Sequence, residues 1–272
     1  MHPLPKTLRL FLIPSRERGL IQKIFLIFTF LFVSACAPSQ KKIQSLPNLS
    51  EQSQIKSDFL AYLNAFEGVN SFQGLAEIKL KTRGRAYSAT EVLQIRLPHR
   101  FSLESLDDLG GLLFLLKSDG EQLLLQDVQA QKKRVEKLSP HLLRQFLPFQ
   151  TSIAQTLGLL FGKLILPPET TEPGFARFAE NPNQVWISWA STRYLWDEEF
   201  KRVTVLETYQ KNRLLFRYEA SNFEGVKVKN IALPHKIWLK DFAQGSEMGL
   251  HYSNMEINVE EKPGDAAFEI LP

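Results

Sequence analysis

Gly74-Leu75-Ala76-Glu77-Ile78-Lys79-Leu80-Lys81 alternates strictly. Ala76, Ile78 and Leu80 fall on one side, and Glu77, Lys79 and Lys81 on the other. A period of two is that of a strand with one face buried and one face in water. Working outward, the pattern returns. Gly84 marks a turn, and residues 87–97 alternate again with Leu93, Ile95 and Leu97 on one face. Pro98 interrupts, then Phe101 and Leu103 open another strand. Residues 112–116 are an unbroken apolar run, Ser118-Asp119-Gly120-Glu121 is a hairpin signal, and Leu123 to Leu125 lead back. About five strands therefore succeed one another through short turns, which makes them an antiparallel meander.

Helical spacing appears on either side of this run. Upstream, Ile55, Phe59, Leu60, Leu63 and Phe66 form an apolar stripe, with Ser50 or Ser53 as the cap and Gly68 as the end. Downstream, Ser139-Pro140 opens a short helix through Phe146, and residues 152–166 read as a second, leucine-rich helix ending before Pro167-Pro168. Residues 167–183 read as loop. Strand signals then resume at 184–191, 201–210, 214–220, 235–242 and 248–259. Helix, strands, helical insert and strands again predict a mainly β, α+β domain. Its strongly curved antiparallel sheet, an incomplete β-barrel, wraps around the helices.

The N-terminus carries a different signal. Basic residues precede an apolar stretch from Ile24 to Val33, followed by Ser34, Ala35 and Cys36. Such an order reads as a secretory signal, and the stretch is too short to span a bilayer, which takes about 20 apolar residues. Val33-Ser34-Ala35-Cys36 resembles the lipobox of bacterial lipoproteins. That resemblance implies cleavage before Cys36, lipidation of its thiol and a membrane anchor there; the plainer reading is an ordinary secretory signal with an incidental cysteine. The expected division is a signal peptide over 1–35, a lipidated, proline-punctuated tether over 36–50, and one domain over 51–272. Of the chain's 33 basic and 29 acidic residues, Lys6, Arg9, Arg16, Arg18, Lys23 and Glu17 lie in the leader, leaving 28 of each sign. The net charge of +4 therefore belongs to the leader and gives no argument for nucleic-acid binding. Cys36 is the only cysteine, so a lipidated chain has no thiol left for disulfides, thiolate metal sites or nucleophilic catalysis.

Several short motifs add up to a family likeness. Phe72-Gln73-Gly74-Leu75-Ala76-Glu77-Ile78 leads a strand, and Leu97-Pro98-His99-Arg100-Phe101-Ser102-Leu103-Glu104 begins another. Gly110-Gly111 precedes an apolar strand, Ser118-Asp119-Gly120 makes a turn, and Asp265-Ala266-Ala267-Phe268-Glu269-Ile270-Leu271-Pro272 closes the chain. Together these resemble the LolA/LolB-like lipoprotein-sorting superfamily, nearest to its membrane-anchored LolB type and the less characterised lipoproteins around it. The resemblance covers residues 51–272. It implies about eleven strands closed by helices over an apolar cavity that takes up acyl chains of lipoproteins or lipids.

The alternating faces nominate the lining: Ile78, Leu80, Leu93, Ile95, Leu97, Phe101, Leu103, Phe114, Leu116, Leu123 and Leu125 in the first half. In the second half they nominate Trp186, Val203, Val205, Phe216, Ile237, Leu239, Leu250 and Ile257. The same residues would serve equally as an ordinary core. The resemblance also implies an exposed apolar residue on a protruding loop that enters the membrane, a part for Leu109 or Leu112. Gly158-Leu159-Leu160-Phe161-Gly162 has the small-residue spacing of close helix packing and reads as part of a lid helix. Trp186, Trp189, Tyr194 and Trp196 suit either a membrane–water boundary or plain strands.

Catalytic signatures are missing. His99, His141, His235 and His251 are scattered, and no metal-binding, nucleophile-elbow, phosphate-loop or dinucleotide motif occurs. The expectation is a non-enzymatic monomer without metal or cofactor beyond the lipid on Cys36. By the resemblance it sits on the periplasmic face of the outer membrane, since Ala37 rather than aspartate follows the cysteine, and a soluble LolA-like periplasmic carrier is a candidate donor. The alternative is a structural or assembly lipoprotein of the envelope that binds protein partners and transports nothing.

Overall fold

The computed structural model describes residues 43–44, 48–82, 84–147, 151–164, 171–178, 181–225, 231–258 and 268–270. The leader, Cys36 and most of the tether lie outside the described residues. In chain order the elements begin with β1 (Ile43–Gln44) and α1 (Leu49–Ala65). The first meander follows: β2 (Ser71–Thr82), β3 (Arg85–Arg96), β4 (Arg100–Leu106), β5 (Leu112–Ser118), β6 (Gln122–Asp127) and β7 (Lys132–Lys137). Next come α2 (Pro140–Leu143) and α3 (Ile153–Leu159). The second meander is β8 (Gly174–Phe178), β9 (Gln184–Trp189), β10 (Thr192–Asp197), β11 (Arg202–Gln210), β12 (Arg213–Gly225), β13 (Ala232–Asp241) and β14 (Ser246–Ile257).

Among the described residues all fourteen strands form one sheet in the order β1-β8-β9-β10-β11-β12-β13-β14-β2-β3-β4-β5-β6-β7. Every neighbouring pair is antiparallel, and the sheet is curved and unclosed, with β1 and β7 at its edges. The two meanders join at β14 and β2, where Leu250 faces Ile78 and Ile257 faces Phe72.

The strand count exceeds the eleven implied by the resemblance for local reasons. In β7, Lys132-Lys133-Arg134-Val135-Glu136-Lys137 hides its strand signal under charge, which also blunts an exposed sheet edge. β8 occupies part of the segment read as loop. β10 returns directly from β9 through Ala190, which takes a positive φ of 53°. The helices are also trimmed relative to expectation. Asn48, not Ser50 or Ser53, caps α1 by accepting from the Glu51 amide. Ser139 caps α2, and Ser152 with Gln155 forms a reciprocal capping box on α3. Shortly past the end of α3, Gly162 adopts a φ of 91°, and a Cβ there would come within 2.7 Å of Pro234.

The inner face is filled unequally. α1 lies against the second meander: Phe59 meets the rings of Trp189, Tyr194 and Trp196, with centroids 5.0 to 6.3 Å away. These rings are buried, so three of the four candidate boundary aromatics are core residues. The turn that ends α3 packs on the central seam, where Phe161 stacks on Phe72 at 5.0 Å and the Tyr252 hydroxyl donates to the Leu160 carbonyl. Among the described residues the first meander receives no such long helix.

Candidate functional site

Under β2 to β6 the inner face is hollow. A cavity of about 440 Å³ lies between these strands and the helical insert. These strands supply Ile78, Leu80, Tyr87, Glu91, Leu93, Leu103, Ser105, Leu113, Phe114, Leu116 and Asp127, and β14 adds Met248. Gln145, Phe146, Leu147 and Leu160 come from the insert, and Gln129 from the turn after β6. The volume falls within the usual ligand-pocket range of about 300–1,000 Å³, and the walls are chiefly hydrocarbon. Alternation puts these side chains together: cross-strand partners Leu93–Leu103 and Leu103–Leu116 continue one inward row over three strands. Phe146 stands 6.3 Å from Phe114 in a near-parallel stack, so the turn after α2 narrows the opening on that side.

Six of the nominated residues therefore meet at the cavity: Ile78, Leu80, Leu93, Leu103, Phe114 and Leu116. The others are placed elsewhere. Ile95, Phe101, Leu123 and Leu125 are buried in the continuous core beyond the cavity, and Leu97 packs against it from the turn after β3. Val203, Phe216, Ile237, Leu239, Leu250 and Ile257 are core residues of the second half and the seam. Two residues differ in face. Trp186 lies between buried Val185 and Ile187 and so points outward. Val205 was assigned the face of Val203, two residues away. A bulge intervenes: Trp196 pairs with Val203 but Leu195 pairs with Val205, so Thr204 is the extra residue and Val205 turns outward.

Val205 instead borders a hollow of about 590 Å³ on the convex face. That hollow is larger, but Glu77, Lys79, Lys236 and His251 on its rim are solvent-exposed. Charged walls in water suit hydrocarbon poorly, so the inner cavity is the candidate site.

Sequence reasoning missed the polar members of the wall. Glu91, Ser105 and Tyr87 face inward because they share the alternation of Leu93 and Leu103. The Ser105 hydroxyl donates to Glu91 Oε1 at 2.9 Å, and the Tyr87 hydroxyl lies 2.8 Å from Ser105 Oγ. Burial pushes the Glu91 carboxyl above its ordinary pKa, and the hydrogen bonds from Ser105 and Tyr87 pull in the opposite direction. Inward phase was the signal that would have found it: Glu91 is the charged residue two positions before Leu93. Among the described residues no cluster of three His, Cys, Asp or Glu is arranged to hold a metal ion, and no helix is long and apolar enough to cross a membrane.

The loop between β4 and β5 projects Leu109, which is 97% exposed. Its backbone is held: Asp107 Oδ1 accepts from the Leu109 and Gly111 amides at 2.9 and 2.7 Å. Gly110 has a φ of 82°, and a Cβ at Gly111 would strike Asp107. The glycine pair is thus required by the tight turn that presents the leucine. Leu112, at the start of β5, is half-buried. The C-terminal Phe268 is buried beneath the guanidinium groups of Arg96 and Arg100, 5.6 and 5.1 Å from its ring centre.

No family model and no curated protein matches this chain. Solved structures do. It is similar to an outer membrane lipoprotein-sorting protein domain from Vibrio parahaemolyticus, at 14% identity and a TM-score of 0.43 over 78% of this chain and 94% of that one. It is similar to a DUF1329 family protein from Desulfovibrio piger, at 12% identity and a TM-score of 0.44 over 79% and 97%. It is also similar to a LolA superfamily protein from Nitrosomonas europaea, at 14% identity and a TM-score of 0.46 over 78% and 96%. The solved structures that this chain resembles thus include one from the superfamily that its sequence motifs resemble.

Proposed function

We propose that this chain is a lipid-anchored envelope protein that accepts acyl chains of lipoproteins or lipids in its inner cavity and passes them to the membrane holding it. The observation that carries this reading is the 440 Å³ hollow between the first meander and the helical insert, walled largely by Ile78, Leu93, Leu103, Phe114 and Leu116. Each methylene moved from water into such a space gains about 0.8 kcal/mol. A chiefly apolar hollow of this kind supplies affinity for hydrocarbon without catalytic groups, as a carrier needs. Cys36 is the proposed lipidation site, Ala37 supports an outer-membrane destination facing the periplasm, and a soluble LolA-like carrier is the proposed donor. Leu109, held out on its clamped loop, is the proposed membrane-insertion residue; Leu112 is a supporting wall at the loop's base.

The test uses the full chain carrying Cys36→Ala, so that no lipid of its own competes. It should take up a fluorescent fatty-acyl probe, and Phe114→Asp, at a half-buried cavity residue, should abolish that uptake while far-UV circular dichroism stays that of a folded protein. A folded parent that takes up no probe refutes the carrier reading. The second reading, an assembly lipoprotein that binds protein partners, draws on the solid packing of α1 against the second meander. A parent without probe uptake favours it.

A further inference from the structure

Glu91 is out of keeping with the wall it occupies. It is 8% exposed, on the inner face of β3, with Ala76 opposite on β2 and Ser105 opposite on β4. Around it the cavity is chiefly hydrocarbon, and an uncompensated carboxyl in such a place costs several kcal/mol. The compensation present is one-sided. Tyr87 has a single hydroxyl proton, and Ser105 Oγ, at 2.8 Å, is nearer to it than Glu91 Oε1, at 3.3 Å. Ser105 in turn donates to Oε1 at 2.9 Å. The three groups make a relay of donors that ends on one carboxyl oxygen. Among the described residues no donor reaches Oε2 and no cation acts on the carboxyl; its environment is burial and those two hydroxyls.

The charge of the lining is also one-sided. Its carboxylates are Glu91 and Asp127, and it includes no lysine, arginine or histidine among the described residues. An anionic head would meet carboxylates and find no counter-ion; the lining's amide donors, Gln129 and Gln145, are solvent-exposed. A head with an N–H or O–H group would find an acceptor, and the relay's own protons are already spent.

We propose that Glu91 Oε2 is the head-group acceptor of the cavity, selecting acyl amphiphiles whose polar end donates a hydrogen bond and turning away free fatty-acid anions. This rests on the acyl-chain reading of the cavity and names the class of chain it takes: acyl amides and acyl alcohols. The tail runs from Glu91 along Leu93, Leu103 and Leu116 towards Leu160, while the head stays on the side of Tyr87.

The experiment displaces a fluorescent acyl probe from the full chain carrying Cys36→Ala, at neutral pH, with four ligands of equal chain length. These are N-methyldodecanamide, dodecanol, methyl dodecanoate and dodecanoate. The amide and the alcohol should displace the probe at concentrations roughly tenfold lower than the ester, the worth of one hydrogen bond, with dodecanoate weakest. Glu91→Leu should bring amide, alcohol and ester level. Glu91→Gln, whose side-chain amide is isosteric and itself a donor, should admit dodecanoate at least tenfold better than the parent, and it keeps the test valid if Glu91→Leu fails to fold. Equal displacement by amide and ester in the parent overturns the proposal and leaves the acyl cavity standing. So does a ligand order unchanged in Glu91→Gln. A parent from which none of the four displaces the probe, or which takes up no probe, overturns both.

Discussion

Truncating two phenylalanines compares the solid and hollow halves of the inner face directly. Phe59 is wholly buried on α1 and touches three aromatic rings of β9 and β10. A Phe→Ala change in a closed core costs about 3–5 kcal/mol, and each ring pair adds about 0.5–1.5 kcal/mol beyond area burial. Phe59→Ala should fall at the top of that range, near 5 kcal/mol. Phe114 is half-buried, stacks on one ring and already borders empty space. Its removal enlarges a hollow instead of opening a new one, so the cavity penalty is mostly absent and about 1–2 kcal/mol of transfer free energy remains. Thermal unfolding of the two variants reads the contrast. At about 2–4 °C per kcal/mol for a domain of this size, Phe59→Ala should lower Tm by roughly 10–20 °C and Phe114→Ala by roughly 2–8 °C. Equal losses would mean that Phe114 sits in a packed wall, and the cavity argument would fail with it.

Three further outcomes follow from named side chains. The folded-state pKa of Glu91 is raised by burial, so its favourable contribution is complete below the ordinary carboxylate pKa and fades as pH rises through the folded value; Glu91→Gln should therefore gain stability relative to the parent between mildly acidic and neutral pH, and denaturant midpoints that move in parallel would contradict this. Leu109→Glu should leave Tm within about 1 °C of the parent, because the side chain is 97% exposed, yet weaken binding to phospholipid vesicles roughly tenfold to a hundredfold, the worth of one leucine leaving hydrocarbon; vesicle binding equal to the parent's would remove Leu109 from the membrane contact. Gly162→Ala should cost at least about 1–3 kcal/mol through its positive φ and the approach of Pro234, and a urea midpoint equal to the parent's would refute that.

Much of the sheet was legible because its inner face is greasy and its outer face charged. β2 is the clearest case: Ala76, Ile78 and Leu80 point inward as their spacing requires, and the same phase carries over to Leu93 and Leu103. Legibility ended where one residue breaks phase. Thr204 is an unremarkable residue in sequence, yet as a bulge it moves Val205 to the opposite face. It also ended where charge masks an edge strand, as in β7, and where a tight turn at Ala190 sends the chain straight back into β10, a stretch that carried no strand reading. For the cavity the limit was different. Inward-facing Phe114 and inward-facing Leu239 carry the same signal, but Phe114 is only half-buried at the cavity and Leu239 meets core. What separates them is where α1 lands, a long-range fact that no local period encodes.

The seam at β14 and β2 has a consequence for how the chain matures. Ile78 finds Leu250 only after the helical insert and the second meander up to β14 have been delivered. Until then β2 is a twelve-residue strand with one flank unsatisfied, the kind of raw border that recruits strangers. Non-local closure of this sort is slow. The newborn protein is thus most exposed to aggregation in the interval before β14 arrives, and a holding chaperone would matter most during that wait.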